Sequence, residues 1–180
     1  EGLNHTESQA EWLKGKAVFI PCGTWLENEM KTTTPAGFDM VMGDTVLLFA
    51  TTSNEKGTYL PPDLLWLEEQ FKKHSKAKHI LLFIHIPPIK WTNNAIESTP
   101  FQEMVKKQKN LRAVFHGHEH DQDGIKWQDG IPYLFDSHVG GNWGTSYRGF
   151  RVVELHKDGS MLTWIMNPTE KINVAEIKTS

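Results

Sequence analysis

The sequence predicts a mixed α/β fold, in which a mixed β-sheet is flanked by helices. Two apolar runs, residues 79–85 and 111–115, are typical of strands that are buried on both faces. A loop and a short helix separate the two runs, and the order strand, helix, strand predicts a parallel pair joined by a crossover. With 180 residues, of which 38% are hydrophobic, the chain is large enough to bury a real core. We therefore expect residues 1–180 to form a single domain.

Strand and hairpin signals come before these two runs. Residues 17–20 predict a short strand. Residues 38–42 and 45–50 predict two further strands, and the Gly43-Asp44 turn between them indicates a hairpin.

One helix is predicted before the first apolar run and one after it. The first starts at Pro61-Pro62-Asp63 and continues to about Lys73, because three large apolar residues recur at helical spacing: Leu64, Leu67 and Phe71. The second helix runs from about Pro100 to Lys107, after a loop rich in Pro, Asn and Thr over residues 87–100.

The C-terminal part of the chain predicts strands alone. Residues 133–135, 150–156 and 161–166 have the composition of strands. Lys157-Asp158-Gly159 joins the last two and is a strong hairpin signal. The glycine-rich segment 140–144 could border a functional site or serve only as a connection.

Charge and hydropathy exclude several classes of function. The net charge is −3 and no basic run exceeds two residues, so the chain has no electrostatic footprint for nucleic acid. No apolar stretch approaches the roughly 20 residues of a membrane-spanning helix. Cys22 is the only cysteine, which excludes an internal disulfide. Because the chain begins with Glu1 and not Met, we expect it to be processed or part of a longer protein. The sequence leaves oligomeric state and compartment open.

The densest group of metal-binding side chains lies in residues 115–121, which read Phe-His-Gly-His-Glu-His-Asp. Imidazole is the commonest metal-binding side chain. Two imidazoles that are two residues apart and next to a carboxylate suit a transition metal better than Mg²⁺ or Ca²⁺. On extended backbone, His118 and His120 would point to the same side. Gly117 permits a sharp turn or a close approach to a ligand. The alternative is a polar loop with solvated histidines.

A further histidine, His85, ends the first apolar run and is followed by Ile86-Pro87-Pro88, which stops the strand. Parallel strands end at one edge of a sheet, and ligands of open α/β sheets bind at that carboxyl edge. We therefore expect His85 and residues 116–120 to share one rim. A core histidine paired with a backbone group is the alternative reading of His85. The remaining candidates are interpreted as surface or packing residues: His74, His79, His138 and His156.

These residues carry a family resemblance. An apolar strand ending in His85 with Pro87-Pro88 after it, followed by Gly117-His118-Glu119-His120, resembles the two C-terminal motifs of the calcineurin-like metallophosphoesterases. The hairpin and first helix are also similar to that family, so that the resemblance covers about residues 36–166. It implies that the chain is the C-terminal part of the family's α/β/β/α sandwich.

The resemblance also implies a chemistry. The family's centre holds two divalent transition metals, usually Mn, Fe or Zn, and hydrolyses phosphate mono- or diesters. His85 and His118 would be ligands of one metal and His120 a ligand of the other. A metal-bound hydroxide would attack phosphorus, and a histidine near the leaving oxygen would act as general acid.

The sequence departs from the family in its N-terminal motifs. No Asp-x-His precedes His85, and Gly43-Asp44 lacks the second aspartate of Gly-Asp-x-x-Asp. Residues 2–7, Gly-Leu-Asn-His-Thr-Glu, resemble Gly-Asn-His-Glu with inserted residues. On that resemblance Asn4 would bind a metal and His5 would be the general acid. The alternatives are an N-glycosylation sequon or a frayed terminus.

Three functions therefore stay open. The first is a metal-dependent phosphoesterase whose site is incomplete in this chain, acting on a phosphate ester. The second is a non-catalytic binding module of the same fold, and the third is a single-metal hydrolase with three histidine ligands. The loop over residues 87–100 is the candidate specificity loop; it contains Trp91, and Lys90 is its only cation, so a dedicated phosphate clamp is not evident.

Overall fold

A computed structural model describes residues 36–54, 56–140 and 143–178. The elements in these ranges are β1 (Gly37–Met42), β2 (Thr45–Ala50), α1 (Leu64–Lys73), β3 (His79–Ile84), α2 (Thr99–Val105), β4 (Leu111–His116), β5 (Asp123–Gln128), β6 (Ile131–Asp136), β7 (Phe150–Leu155), β8 (Met161–Asn167) and β9 (Glu170–Ile177). Neither helix is long and apolar enough to cross a membrane. The predicted strand over residues 17–20 lies outside the described residues, as do Asn4, His5 and Cys22.

Six strands form the larger sheet, in the order β1-β2-β3-β4-β6-β5. The four central strands, β2, β3, β4 and β6, run parallel to one another. The two edge strands, β1 and β5, are antiparallel to their neighbours. The predicted parallel pair and the predicted hairpin are therefore both present. The residues that follow β3, β4 and β6 consequently emerge at the same edge of the sheet.

The two faces of the larger sheet are covered differently. On one face, Leu67 and Phe71 of α1 and Phe101 of α2 pack against apolar side chains of the central strands. On the other face, the three-stranded sheet β7-β8-β9 contributes Met161 and Ile177 to a second core. The molecule is thus layered as helices, sheet and second sheet. This architecture confirms the predicted fold class, a mixed α/β fold with flanking helices.

Both helices begin at a side-chain cap. Asp63 Oδ1 accepts hydrogen bonds from the backbone N–H groups of Leu65 and Trp66, both at 3.0 Å, so α1 starts where the Pro-Pro-Asp signal predicts it. Ser98 caps α2 by accepting from the N–H of Phe101 at 3.4 Å. The second helix ends at Val105, two residues before the predicted end.

One arginine joins the two sheets next to the carboxyl edge. Arg151 of β7 donates from Nη2 to Asp123 Oδ1 and to the carbonyl of Phe135, each at 2.8 Å, and from Nε to Asp136. Its side chain is 4% exposed. Tyr147 donates its hydroxyl to the other Asp123 oxygen at 2.6 Å. The segment before β7 is therefore fixed against β5 and β6.

Two strands, β5 and β9, were not predicted. The turn between β5 and β6 is Asp129-Gly130, and both residues have positive φ (52° and 77°), as the mirror-image hairpin turns require. This Asp-Gly pair was a usable signal. The ninth strand gives a weaker signal, because four of its eight residues are Glu, Lys or Asn and five of the eight are exposed.

Candidate functional site

The side chains of His85 and His118 meet at the carboxyl edge of the larger sheet. His85 follows the last residue of β3, and His118 follows β4 by two residues. The two strands are parallel neighbours, and this brings His85 Nε2 to 3.4 Å from His118 Nδ1. Their ring centroids are 5.1 Å apart. The proximity expected from strand topology is therefore observed.

Gly117 makes room for this pair. A Cβ atom on Gly117 would lie 2.9 Å from His85 Nδ1 and 3.2 Å from its Cε1. Both distances are shorter than ordinary van der Waals contact, so any side chain here would push the imidazole away. Gly117 thus permits the close approach of a ring from the neighbouring strand.

The backbone around His118 turns and is not extended. His118 has a φ of 59°, in the left-handed region that non-glycine residues rarely adopt. The N–H of Glu119 donates to the carbonyl of Gly117 at 2.6 Å, and that of Gln122 donates to the carbonyl of Glu119 at 3.0 Å. The prediction that extended backbone would direct His118 and His120 to one side was wrong. The two imidazoles have different neighbours instead.

His120 lies against the segment that follows β6. The indole of Trp143 stacks on its ring with centroids 4.1 Å apart and an interplanar angle of 19°. The ring of His138 lies 5.7 Å away. Among the described residues, the buried Nδ1 of His120 has no hydrogen-bond partner. His138 is buried and its Nε2 donates to the carbonyl of Thr145 at 3.1 Å, so it is a packing residue next to the candidate ligand.

Glu119 connects the histidine turn to the candidate specificity loop. Its side chain is 2% exposed. One carboxylate oxygen accepts from Thr92 Oγ1 and the other from Asn94 Nδ2, the latter at 3.2 Å. The sequence places Glu119 between two candidate ligands, but nothing in the sequence indicates these loop partners. The loop is therefore anchored to the turn that carries His118 and His120.

Two other residues of this loop, Lys90 and Trp91, contact the loop itself and the core. Lys90 Nζ donates to the carbonyls of Asn93 and Ala95, at 2.8 and 2.7 Å. Its ammonium group is thus used within the loop. Trp91 packs edge-on against Tyr133, with centroids 5.1 Å apart, and covers the core.

The imidazoles of the pair favour their neutral form. Burial among protein atoms, together with His118 and His120, lowers the pKa of His85 to about 4, although the residue is partly open to solvent. Burial also lowers the pKa of His118; Glu119 acts in the opposite direction and His120 in the same one. Neutral imidazoles offer the lone pairs that a metal ion needs.

His116 does not belong to this rim, contrary to expectation. It is 1% exposed, and its Nδ1 donates to the carbonyl of Ile84 at 3.2 Å. Burial lowers its pKa to about 3. As the last residue of β4, it points into the helix-side core and stacks on Tyr133. Only the residues after the strand end face the edge.

The donor set fits a metal in part. Two ligand nitrogens that bind one ion tetrahedrally at about 2.0–2.1 Å lie roughly 3.3–3.4 Å apart. The 3.4 Å between His85 Nε2 and His118 Nδ1 matches that spacing. Within the described ranges, no group of three or more His, Cys, Asp or Glu side chains is placed to hold an ion. Asn4 and His5 fall outside these ranges.

Comparison with known proteins gives similarity of shape only. No protein-family model and no curated protein matches the chain. A dimetal phosphatase from Danio rerio is 16% identical with a TM-score of 0.48, over 64% of this chain and 38% of that one. Vps29 from Entamoeba histolytica is 8% identical with a TM-score of 0.32, over 74% of this chain and 99% of that one. A phosphatase from Mycoplasma pneumoniae is 10% identical with a TM-score of 0.37, over 82% of this chain and 58% of that one. The matched part of this chain thus spans less than two thirds of either phosphatase.

Proposed function

We propose that this chain carries part of a metal-dependent phosphoesterase centre, which acts on phosphate mono- or diesters with divalent Mn, Fe or Zn. The observation that supports it most directly is the 3.4 Å distance between His85 Nε2 and His118 Nδ1. Two neutral imidazoles whose nitrogens face each other at ligand spacing suit one metal ion. Their place at the carboxyl edge of parallel strands suits a substrate site.

Each residue of the proposed centre has a separate task. His85 and His118 would hold one metal, and His120, whose Nδ1 lacks a partner among the described residues, would serve a second. A metal bound here would supply Lewis-acid chemistry toward phosphoryl oxygens. Asn4 would complete a ligand set, and His5 would donate a proton to the leaving oxygen. Gly117 and Glu119 would hold the turn so that the imidazoles keep their positions.

A non-catalytic module is the second candidate, and one observation favours it. Only two of the candidate ligands, His85 and His118, come into contact in the described part of the chain. A pair of ligands binds an ion weakly and leaves its other positions to water, so that the ion is not held in a fixed geometry toward a substrate. A single-metal hydrolase with His85, His118 and His120 would require His120 to turn toward the pair.

Hydrolysis of p-nitrophenyl phosphate and bis(p-nitrophenyl) phosphate distinguishes these functions. We expect the 180-residue chain to give slow turnover that depends on added Mn²⁺, is removed by chelation and is lost in the His118→Ala, His120→Ala double variant. His156→Ala is the matched control, because His156 is exposed beside the β7–β8 turn. If the wild-type chain is no faster than the double variant, phosphoesterase function is contradicted and the binding module is favoured. Robust turnover would contradict the proposed incompleteness.

A further inference from the structure

Two exposed aromatic side chains lie next to the candidate ligands. The ring of Tyr59 meets His118 nearly at right angles, with centroids 4.8 Å apart. The indole of Trp143 lies flat on His120. Tyr59 is 46% exposed and Trp143 is 54% exposed. Both residues therefore present aromatic surface to solvent at the border of a proposed substrate site.

Tyr59 is held by a hydrogen-bonded loop that follows β2. Asn54 Oδ1 accepts from the N–H of Thr58 at 2.9 Å, and a β-bridge pairs Ser53 with Tyr59. Thr52, just before this loop, is buried, and its Oγ1 accepts from the N–H of Ile86 at 3.0 Å. Ile86 is the residue after His85. The loop that presents Tyr59 is therefore tied to the backbone that presents the imidazole.

Trp143 is fixed to His120 by the residues that follow it. Gly144 has a φ of 112°, and a Cβ atom there would lie 2.1 Å from the carbonyl oxygen of His120. The N–H of Thr145 donates to that same oxygen at 2.9 Å. One face of the indole rests on the imidazole, and its large exposure leaves the other face available. A ring of similar size can stack on it.

We propose that Tyr59 and Trp143 form a stacking subsite for a planar aromatic ring, so that the substrates of this centre are phosphate esters of the nucleotide type. The substrate assignment rests on the proposed phosphoesterase function. Stacking accepts every base, because each base has a π-face, and it requires no hydrogen bond to a base edge. The phosphate would then lie toward His85 and His118, while the ring rests on the aromatic side chains.

Isothermal titration calorimetry of the whole chain with adenosine, AMP and glycerol 1-phosphate tests this subsite. We expect Trp143→Leu and Tyr59→Leu each to weaken adenosine and AMP binding by about tenfold, the usual size of one base–aromatic contact. Trp143→Phe keeps a ring and should retain most of the affinity. Trp127→Leu is the matched control: Trp127 is also 54% exposed, but it pairs with Pro132 at the other end of the larger sheet.

The outcomes separate the two proposals. Equal affinity of the wild type for AMP and glycerol 1-phosphate would overturn the subsite, as would unchanged adenosine binding in both Leu variants. Adenosine carries no phosphate and needs no metal. If adenosine binds as expected but Mn²⁺ does not bind, then the aromatic subsite stands and the metal proposal fails. If Mn²⁺ binds and adenosine does not, then only the subsite is refuted.

Discussion

His118 Nδ1 lies 3.4 Å from His85 Nε2, although 33 residues separate the two histidines in the sequence. Their strands, β3 and β4, are parallel neighbours, so their ends coincide at one edge. The distance fits two nitrogens that bind one metal ion. It also fits a hydrogen bond in which one neutral ring donates its N–H to the other. Metal binding distinguishes these two states, and the surrounding residues determine how well the pair is held.

Gly117→Ala should disturb the pair directly. The added Cβ would stand 2.9 Å from His85 Nδ1, so the imidazole must shift from its present position beside His118. We expect the affinity for Mn²⁺ or Zn²⁺ to fall by at least about tenfold, because ligand geometry is lost. Calorimetric titration of the metal measures the effect.

The matched control for this variant is Gly43→Ala. Gly43 has a φ of 64° in the β1–β2 turn, and nothing lies within 4 Å of a Cβ placed there. We expect a loss of about 1 kcal/mol in the free energy of unfolding, with metal binding unchanged. Equal metal affinity in Gly117→Ala and the wild type would show that His85 is not a ligand.

Glu119→Gln should loosen the loop that contains Thr92 and Asn94. The amide replaces one accepting oxygen with a donor, so both contacts lose the carboxylate charge, and either the Thr92 hydroxyl or the Asn94 amide must turn to keep its hydrogen bond. We expect the free energy of unfolding to fall by about 1–3 kcal/mol. Chemical denaturation measures it, together with faster amide exchange in residues 92–95.

Asp121→Asn serves as the control for charge at Glu119. Asp121 is exposed and two residues away, so the same change from carboxylate to amide should leave stability within about 0.5 kcal/mol. If both variants lose the same stability, the loop contacts of Glu119 contribute nothing beyond its charge.

The pH dependence of stability should report Asp136. Burial raises its pKa to about 6; Arg151 opposes this shift and Asp123 adds to it. The folded carboxyl therefore binds its proton more tightly than the unfolded one. Its contribution to stability is full below pH 4 or so and is lost as the pH rises through about 6.

Asp136→Asn provides the comparison. The Asp136 side chain is 32% exposed, and solvent screening limits the expected change to about 1 kcal/mol. Between pH 4 and pH 7, we expect the free energy of unfolding of the wild type, measured by urea denaturation, to fall by this amount relative to that of the variant. A relative gain over the same range would mean that attraction to Arg151 outweighs desolvation.

Topology was the part of the site that the sequence could predict. The apolar runs ending at His85 and Phe115 were sufficient to place His85 and His118 at one edge. Side-chain neighbours were harder to predict, because Thr92, Asn94 and Trp143 approach from loops whose course depends on tertiary contacts. His116 differs from His118 only by its position relative to the strand end, which local sequence did not resolve. Strand β9 is half polar and has only a short apolar alternation, Ile172 and Val174, so its hydrophobic pattern was too short to identify a strand.

The measurement that tests the central claim most directly is calorimetric titration of the 180-residue chain with Mn²⁺ and Zn²⁺, at neutral pH. The wild type and His156→Ala should bind at least one ion, and the His118→Ala, His120→Ala double variant should lose that binding. His85→Ala should also weaken it, because His85 and His118 would share the ion. Absence of binding in the wild type, or full binding in the double variant, would contradict a metal centre at this edge.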